Sequence, residues 1–159
     1  GTTLIGAARV ADLVKSTTNT RAVADPLTAA LSAMSALKVG SIGIVSPYID
    51  SVARPIRMAF EKAGFTVPAT VSFGEQVEAR VARIDPASIH AAALSVGRQP
   101  GVEAVFLSCT NLRTLDIIDD LEQKLGLPVV SSNQALAWQM SRLAALPAPI
   151  HAPGRLFHD

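Results

Sequence analysis

Cysteine, tyrosine and tryptophan each occur once in these 159 residues, and aromatic side chains make up 4% of the chain. A single cysteine cannot close an internal disulfide, which fits a reducing cytoplasm, the compartment expected here. A net charge of +1 with scattered Lys and Arg, and no aromatic stacking pattern, excludes nucleic acid as an expected partner. The apolar residues fall in short runs, none near the roughly 20 residues of a membrane span, so no membrane association is expected. No basic segment leading into a long apolar stretch marks a signal peptide. The GxGxxG and P-loop glycine patterns are missing, as is the GxSxG elbow of serine hydrolases. What the chain does have is 49% apolar against 17% charged residues, enough to bury the core of one domain.

The apolar runs alternate with helical patterns. Ser41 to Val45, Val102 to Leu107 and Pro128 to Val130 are short, nearly unbroken runs of the kind buried on both faces of a parallel sheet. Val67 to Phe73 is a weaker fourth strand. Asp25-Pro26 and Asp85-Pro86 each read as an N-cap followed by proline in the first turn. Leu27, Ala30, Leu31, Met34 and Leu37 share one helical face after the first pair. Ile89, Ala93 and Val96 follow the second, with Gly97 as its stop. Further helices are expected over 7–14, 51–63, 112–125 and 134–145. The 112–125 pattern turns Leu115, Ile118, Leu121 and Leu125 inward and leaves Asp116, Asp119, Asp120 and Glu122 on a solvated face. The alternation predicts an α/β fold with a doubly wound parallel sheet, whose ligands bind beyond the carboxyl ends of the strands. Tyr48, Cys109 and Asn133 all lie at such ends.

Cys109 is the sharpest candidate. A thiol between a strand and a helix capped by Thr110 or Asn111 meets unpaired N–H groups and the positive helix end, both of which favour a thiolate. The same N–H groups suit a substrate carboxylate or an enolate oxygen. A buried structural cysteine is the competing reading. Tyr48 can donate to a developing oxyanion, or it is an ordinary boundary tyrosine with a wet hydroxyl. His90, His151 and His158 have no metal-ligand spacing and read as solvated or locally bonded. Glu75, past a strand end, reads as solvated, with substrate contact the alternative.

The run Val105 to Thr114, VFLSCTNLRT, and the run Pro128 to Trp138, PVVSSNQALAW, resemble the second half of maleate isomerase-like proteins in the aspartate/glutamate racemase superfamily. Ser46-Pro47-Tyr48 resembles that branch's threonine-proline-tyrosine turn. Gly1-Thr2-Thr3-Leu4-Ile5-Gly6 resembles the stretch just past its first cysteine motif, and Pro153-Gly154-Arg155-Leu156-Phe157 fits its ending. The stretch Phe73 to Ile84 resembles the ectoine-utilisation members more than authentic maleate isomerases, which tend to carry a substrate-binding asparagine there.

The resemblance implies two pseudo-symmetric α/β lobes with a site between them, one cysteine from each lobe, no metal or organic cofactor, and a homo-oligomer. It implies an isomerase or racemase acting on a small carboxylate, with Cys109 as acid/base or as the adding thiol. Tyr48, Ser46, Pro47, Thr110, Asn111, Gly1 and Thr2 would contact that carboxylate. A cofactor-free decarboxylase protonating through Cys109 and a non-catalytic carboxylate-binding protein are the alternatives.

On this reading, residues 1–38 are a remnant of the N-terminal lobe and a crossover helix. Residues 39–131 form the C-terminal-type lobe, and 132–159 hold the last helix and a tail packing back on the N-terminal lobe. The first cysteine is missing, so the chain is expected to be truncated and inactive as a two-base racemase. A second register, with Gly1 in that cysteine's place as in arylmalonate decarboxylases, remains open.

Overall fold

The computed structural model describes residues 5–147 and 151–158. Its elements in chain order are α1 (Ala7–Thr17), α2 (Pro26–Ala36), β1 (Ser41–Tyr48), α3 (Asp50–Lys62), β2 (Thr66–Glu75) and the single turn α4 (Glu78–Val81). They continue with α5 (Pro86–Gly97), β3 (Ala104–Leu107), a 3-10 turn (Leu115–Ile117), α6 (Ile118–Leu125), β4 (Val129–Ser131) and α7 (Ser132–Leu143). The strands form one parallel sheet in the order β2-β1-β3-β4. This is the doubly wound α/β architecture the sequence predicts. Among the described residues no helix is long and apolar enough to cross a membrane.

The strand residues alternate between two cores. Ile42, Ile44, Phe106 and Val130 meet Ala30, Met34, Phe60 and Trp138 on the face covered by α2, α3 and α7. Val45, Val105, Leu107 and Val129 meet Ile89, Val96, Ile118 and Leu121 on the face covered by α5 and α6. Each fully buried side chain of this size contributes roughly 1.5–3 kcal/mol.

Both Asp-Pro signals act as caps. The Asp25 carboxylate accepts from the N–H groups of Leu27 (3.1 Å) and Thr28 (3.0 Å), and that of Asp85 from Ala87 (3.1 Å). Pro26 and Pro86 occupy the first turn, where a missing N–H costs nothing.

β2 is the longest strand, yet its sequence signal is the weakest. As an edge strand it alternates exposed and covered positions, and it tolerates Pro68 because no strand lies beyond it. Pro47 is tolerated in the central strand β1 for a related reason. The pairing with β3 ends at Val45, and the register with β2 shifts between Ser46 and Tyr48.

Three expectations are corrected. The segment after Cys109 is not one helix: residues 110–114 form a loop, the 3-10 turn follows, and α6 begins at Ile118, leaving Leu115 exposed. Gly97 does not stop α5 but lies within it, buried, where a Cβ would stand 2.6 Å from Cδ1 of Leu125. Close packing of α5 on α6, not capping, requires glycine there. Glu122 is buried at 7% exposure, and its Oε1 accepts from Val129 N (2.9 Å) and Arg155 N (3.3 Å). One charged side chain thus ties α6 to β4 and to the tail.

Gly126 does close α6, in the left-handed conformation expected of a C-terminal glycine. The tail packs on α6 and α7. Gly154 N donates to Asp119 (2.7 Å), Gln134 donates to the Pro153 carbonyl, and Leu156 is buried beside Trp138.

Candidate active site

The strand order makes the chain reverse direction across the sheet at β1 and β3, since β1 leads outward to β2 and β3 leads to β4 on the other side. At such a switch point the two connections leave in opposite directions and open a crevice beyond the carboxyl ends. A cleft of about 600 Å³ lies there. Its walls include Tyr48 at the end of β1, Ser108, Cys109 and Thr110 after β3, Ser132 at the start of α7, and Glu75 and Glu78 beyond β2.

Cys109 is buried at 6% exposure and enclosed by polar partners. Its sulfur lies 3.0 Å from the Tyr48 hydroxyl and accepts from Asn111 N at 3.2 Å. Its own N–H donates to Ser132 Oγ (3.1 Å). The helix following Cys109 starts too late to act on the thiol, so neither Thr110 nor Asn111 is its cap.

The positive helix end at the cleft belongs to α7. Ser131 caps α7 in a reciprocal box with Gln134, through contacts of 3.2 and 3.4 Å. That box places Ser132, at the N-terminus of a 12-residue helix, against the cleft, a favourable setting for an anion.

Burial pushes the Tyr48 hydroxyl well above the ordinary phenol value, with the adjacent Cys109 sulfur second and the Glu78 carboxylate third. The hydroxyl therefore stays protonated across the physiological range and is available as a donor.

Asn111 spans two groups. Its N–H is on the sulfur, while its side-chain amide donates to the Glu78 carbonyl and to Glu78 Oε1, both at 3.1 Å. Asn133 donates to the Thr110 carbonyl (2.9 Å), which fastens the Cys109 loop to α7.

Of the remaining candidates, Ser46 lies outside the cleft. Ser46 is buried at 2% exposure, its Oγ accepts from Tyr48 N (3.3 Å), and it lines a separate groove beside α3. Pro47 is buried and holds the turn that aims Tyr48. Gly1 and Thr2 lie outside the described residues. Glu75 lines the cleft mouth, but its Oε1 takes the N–H groups of Gln76 (2.8 Å) and Val77 (2.9 Å), which hold its carboxyl below the usual range.

The structure adds Glu78, Ser132 and Ser108 to the site. All three lie within the runs that carry the family resemblance, but nothing in those runs by itself singled them out as site residues. His90 is locally bonded, to Asp120 (2.5 Å). Among the described residues no three of His, Cys, Asp and Glu gather as a metal-binding group.

The sheet and the helices around it match solved members of the Asp/Glu racemase-like fold superfamily. Within it, this chain belongs to the arylmalonate decarboxylase family, whose profile matches residues 6–157.

Arylmalonate decarboxylase from Bordetella bronchiseptica is 32% identical over 134 residues, covering 83% of this chain and 56% of that protein. A crystal structure of arylmalonate decarboxylase aligns with a TM-score of 0.76 at 32% identity, over 84% of this chain and 59% of that one. Maleate isomerase from Nocardia farcinica is 25% identical over 131 residues, covering 82% of this chain and 52% of that protein. Its cysteine-to-serine variant, solved with a covalently bound succinylcysteine intermediate, aligns with a TM-score of 0.76 at 26% identity over 82% of this chain and 54% of that one. The chain thus spans about half the length of these curated relatives.

Proposed function

We propose that this chain carries the Cys109 half of a cofactor-independent isomerase or racemase acting on a small carboxylate. The observation that carries the reading is the 3.0 Å contact between the Cys109 sulfur and a Tyr48 hydroxyl that remains protonated, inside a cleft at the switch point.

In the acid/base form the Cys109 thiolate takes the proton from the carbon next to the carboxylate. The C–H electron pair moves into the carboxylate as an enediolate, and a proton returns to the carbon. In the thiol-addition form the Cys109 thiolate bonds to one alkene carbon and a proton joins the other; after rotation about the new single bond that carbon gives up a proton, and the C–S bond breaks to restore the alkene and the thiolate. Either form generates an oxyanion that needs fixed donors. Tyr48 O–H and the N-terminus of α7 supply them without reorganisation. Thr110 and Asn111 shape the same wall.

Residues 39–131 serve as the C-terminal-type lobe. The open side of the cleft fits a second lobe of the relatives' kind, which would add the second acid/base, and this chain alone would then give no two-base turnover. The Phe73 to Ile84 run supports the ectoine-utilisation type within the family.

A decarboxylase reading rests on the family profile and on 32% identity to an arylmalonate decarboxylase. There carbon dioxide leaves with its bond pair remaining as the enediolate, and Cys109 S–H protonates one face.

The test uses the product of the complete reading frame with maleate, L-aspartate, L-2,4-diaminobutyrate and phenylmalonate, followed by NMR and chiral chromatography. Isomerisation or racemisation lost in Cys109→Ala supports the proposal. Consumption of phenylmalonate alone transfers the assignment to the decarboxylase. Activity unchanged in Cys109→Ala, or none on any of the four, overturns it.

A further inference from the structure

The walls of the cleft are unevenly charged. Two carboxylates, Glu75 and Glu78, lie at its mouth, and among the described residues lining it there is no Lys, Arg or His. The Glu75 oxygen is already engaged by two backbone N–H groups. Glu78 is placed differently: Asn111 holds its Oε1 at 3.1 Å with the side-chain amide, while the backbone N–H of the same residue sits on the Cys109 sulfur at 3.2 Å. The carboxylate therefore stands one residue's width from the reacting atom, on the wall formed by the loop after β2. A ligand held at the sulfur therefore shares one cleft with the Glu78 carboxylate.

A second carboxylate on the ligand would meet Glu78 as a like charge, and an ammonium would meet it as an opposite one. Maleate and arylmalonate, the compounds in the relatives' names, both carry two carboxylates. In this chain Glu78 puts a carboxylate on the wall of the cleft that also holds Cys109.

We infer that Glu78 is a specificity-determining residue that turns the cleft away from dicarboxylates and toward a monocarboxylate bearing an ammonium group a few bonds from the reacting carbon. The inference rests on the proposed carboxylate site at Cys109. Asn111 is its positioning residue, since its amide fixes the Glu78 oxygen against the cleft instead of leaving it to swing into solvent.

The experiment reads occupancy of the cleft, so it does not depend on turnover. The product of the complete reading frame is alkylated at Cys109 with iodoacetamide, and protection is titrated with three ligands of one skeleton: β-alanine, succinate and propionate. They carry an ammonium, a second carboxylate or a hydrogen on the third carbon. β-Alanine is expected to protect at roughly tenfold lower concentration than succinate, with propionate between them, a ratio equal to about 1.4 kcal/mol. Glu78→Gln should bring the three together, and Glu78→Lys should reverse the order. Thermal melts of both variants check the fold, and the exposed position of Glu78 predicts little change.

Equal protection by succinate and β-alanine in the native protein overturns the assignment of Glu78 but leaves the carboxylate site standing. A preference that survives Glu78→Gln does the same. Protection by none of the three overturns the carboxylate site itself, and the inference with it.

Discussion

The hydroxyl of Tyr48 and the sulfur of Cys109 lie 3.0 Å apart across the switch point of the sheet, although 61 residues separate them in the chain. Neither reaches the other through local structure. β1 and β3 are adjacent parallel strands, paired with each other up to Val45 and Leu107; Tyr48 is the last residue of β1, and Cys109 lies two residues past β3.

That pair should behave as a unit in catalysis. Cys109→Ala is expected to lower kcat by about 10²- to 10⁴-fold, the usual contribution of a positioned acid/base. Tyr48→Phe should cost about 10²-fold, as the loss of one oxyanion donor does. Steady-state kinetics of the double variant should show little loss beyond that of Cys109→Ala. A multiplicative loss would mean that the two act independently.

The single tyrosine permits a clean spectroscopic titration. Absorbance at 295 nm should show tyrosinate forming well above the ordinary value of about 10, and in step with unfolding. Because the folded value is raised, the stability linked to this group is fully present below about pH 10 and is lost as pH rises through the folded value. Cys109→Ala should move the midpoint only part of the way back, because burial, the largest cause, remains. A midpoint at the ordinary value in the native protein would contradict the buried contact.

Gly43 on β1 faces Val96 on α5, where a Cβ would overlap a Val96 methyl carbon. Gly43→Ala should destabilise by about 1–3 kcal/mol through overpacking. Urea unfolding of the pair Gly43→Ala, Val96→Ala should recover part of that loss. No recovery would place the clash elsewhere.

Burial raises the Glu122 carboxyl above its ordinary range, opposed by the N–H groups of Val129 and Arg155 and by the Arg155 guanidinium. A raised folded value means that the linked stability is greatest below the unfolded value of about 4.3 and falls as pH rises through the folded one. Glu122→Gln cannot titrate, so chemical denaturation should favour it over the native protein more at pH 7 than at pH 4. Glu122→Ala should cost about 1–3 kcal/mol at both pH values, since it strands two buried N–H donors. Equal stability of Ala and Gln variants would remove Glu122 from the contact between α6, β4 and the tail.

The α/β alternation, the buried strands β1, β3 and β4, and both Asp-Pro caps were legible in the residues, because each depends on local periodicity or on a side chain bonding its own next turn. Cys109 stood out for the same kind of reason: an apolar run ended abruptly in Ser, Cys, Thr and Asn. The sequence also pointed to the edge of the sheet where this cleft lies, since all parallel strands of a doubly wound fold end on one side.

Tertiary structure alone decided the rest. A helical pattern after Cys109 gave way to a loop because Asn111 takes bonds to sulfur and to Glu78 in place of starting a helix. Glu122, which reads as a surface charge, is buried because β4 and the tail close over it. Tyr48, Glu78, Cys109 and Ser132 converge from the end of one strand, the starts of two helices and a loop, and no periodicity encodes a distance between such elements. Local bonding sets the elements, while packing of the sheet sets which side chains meet.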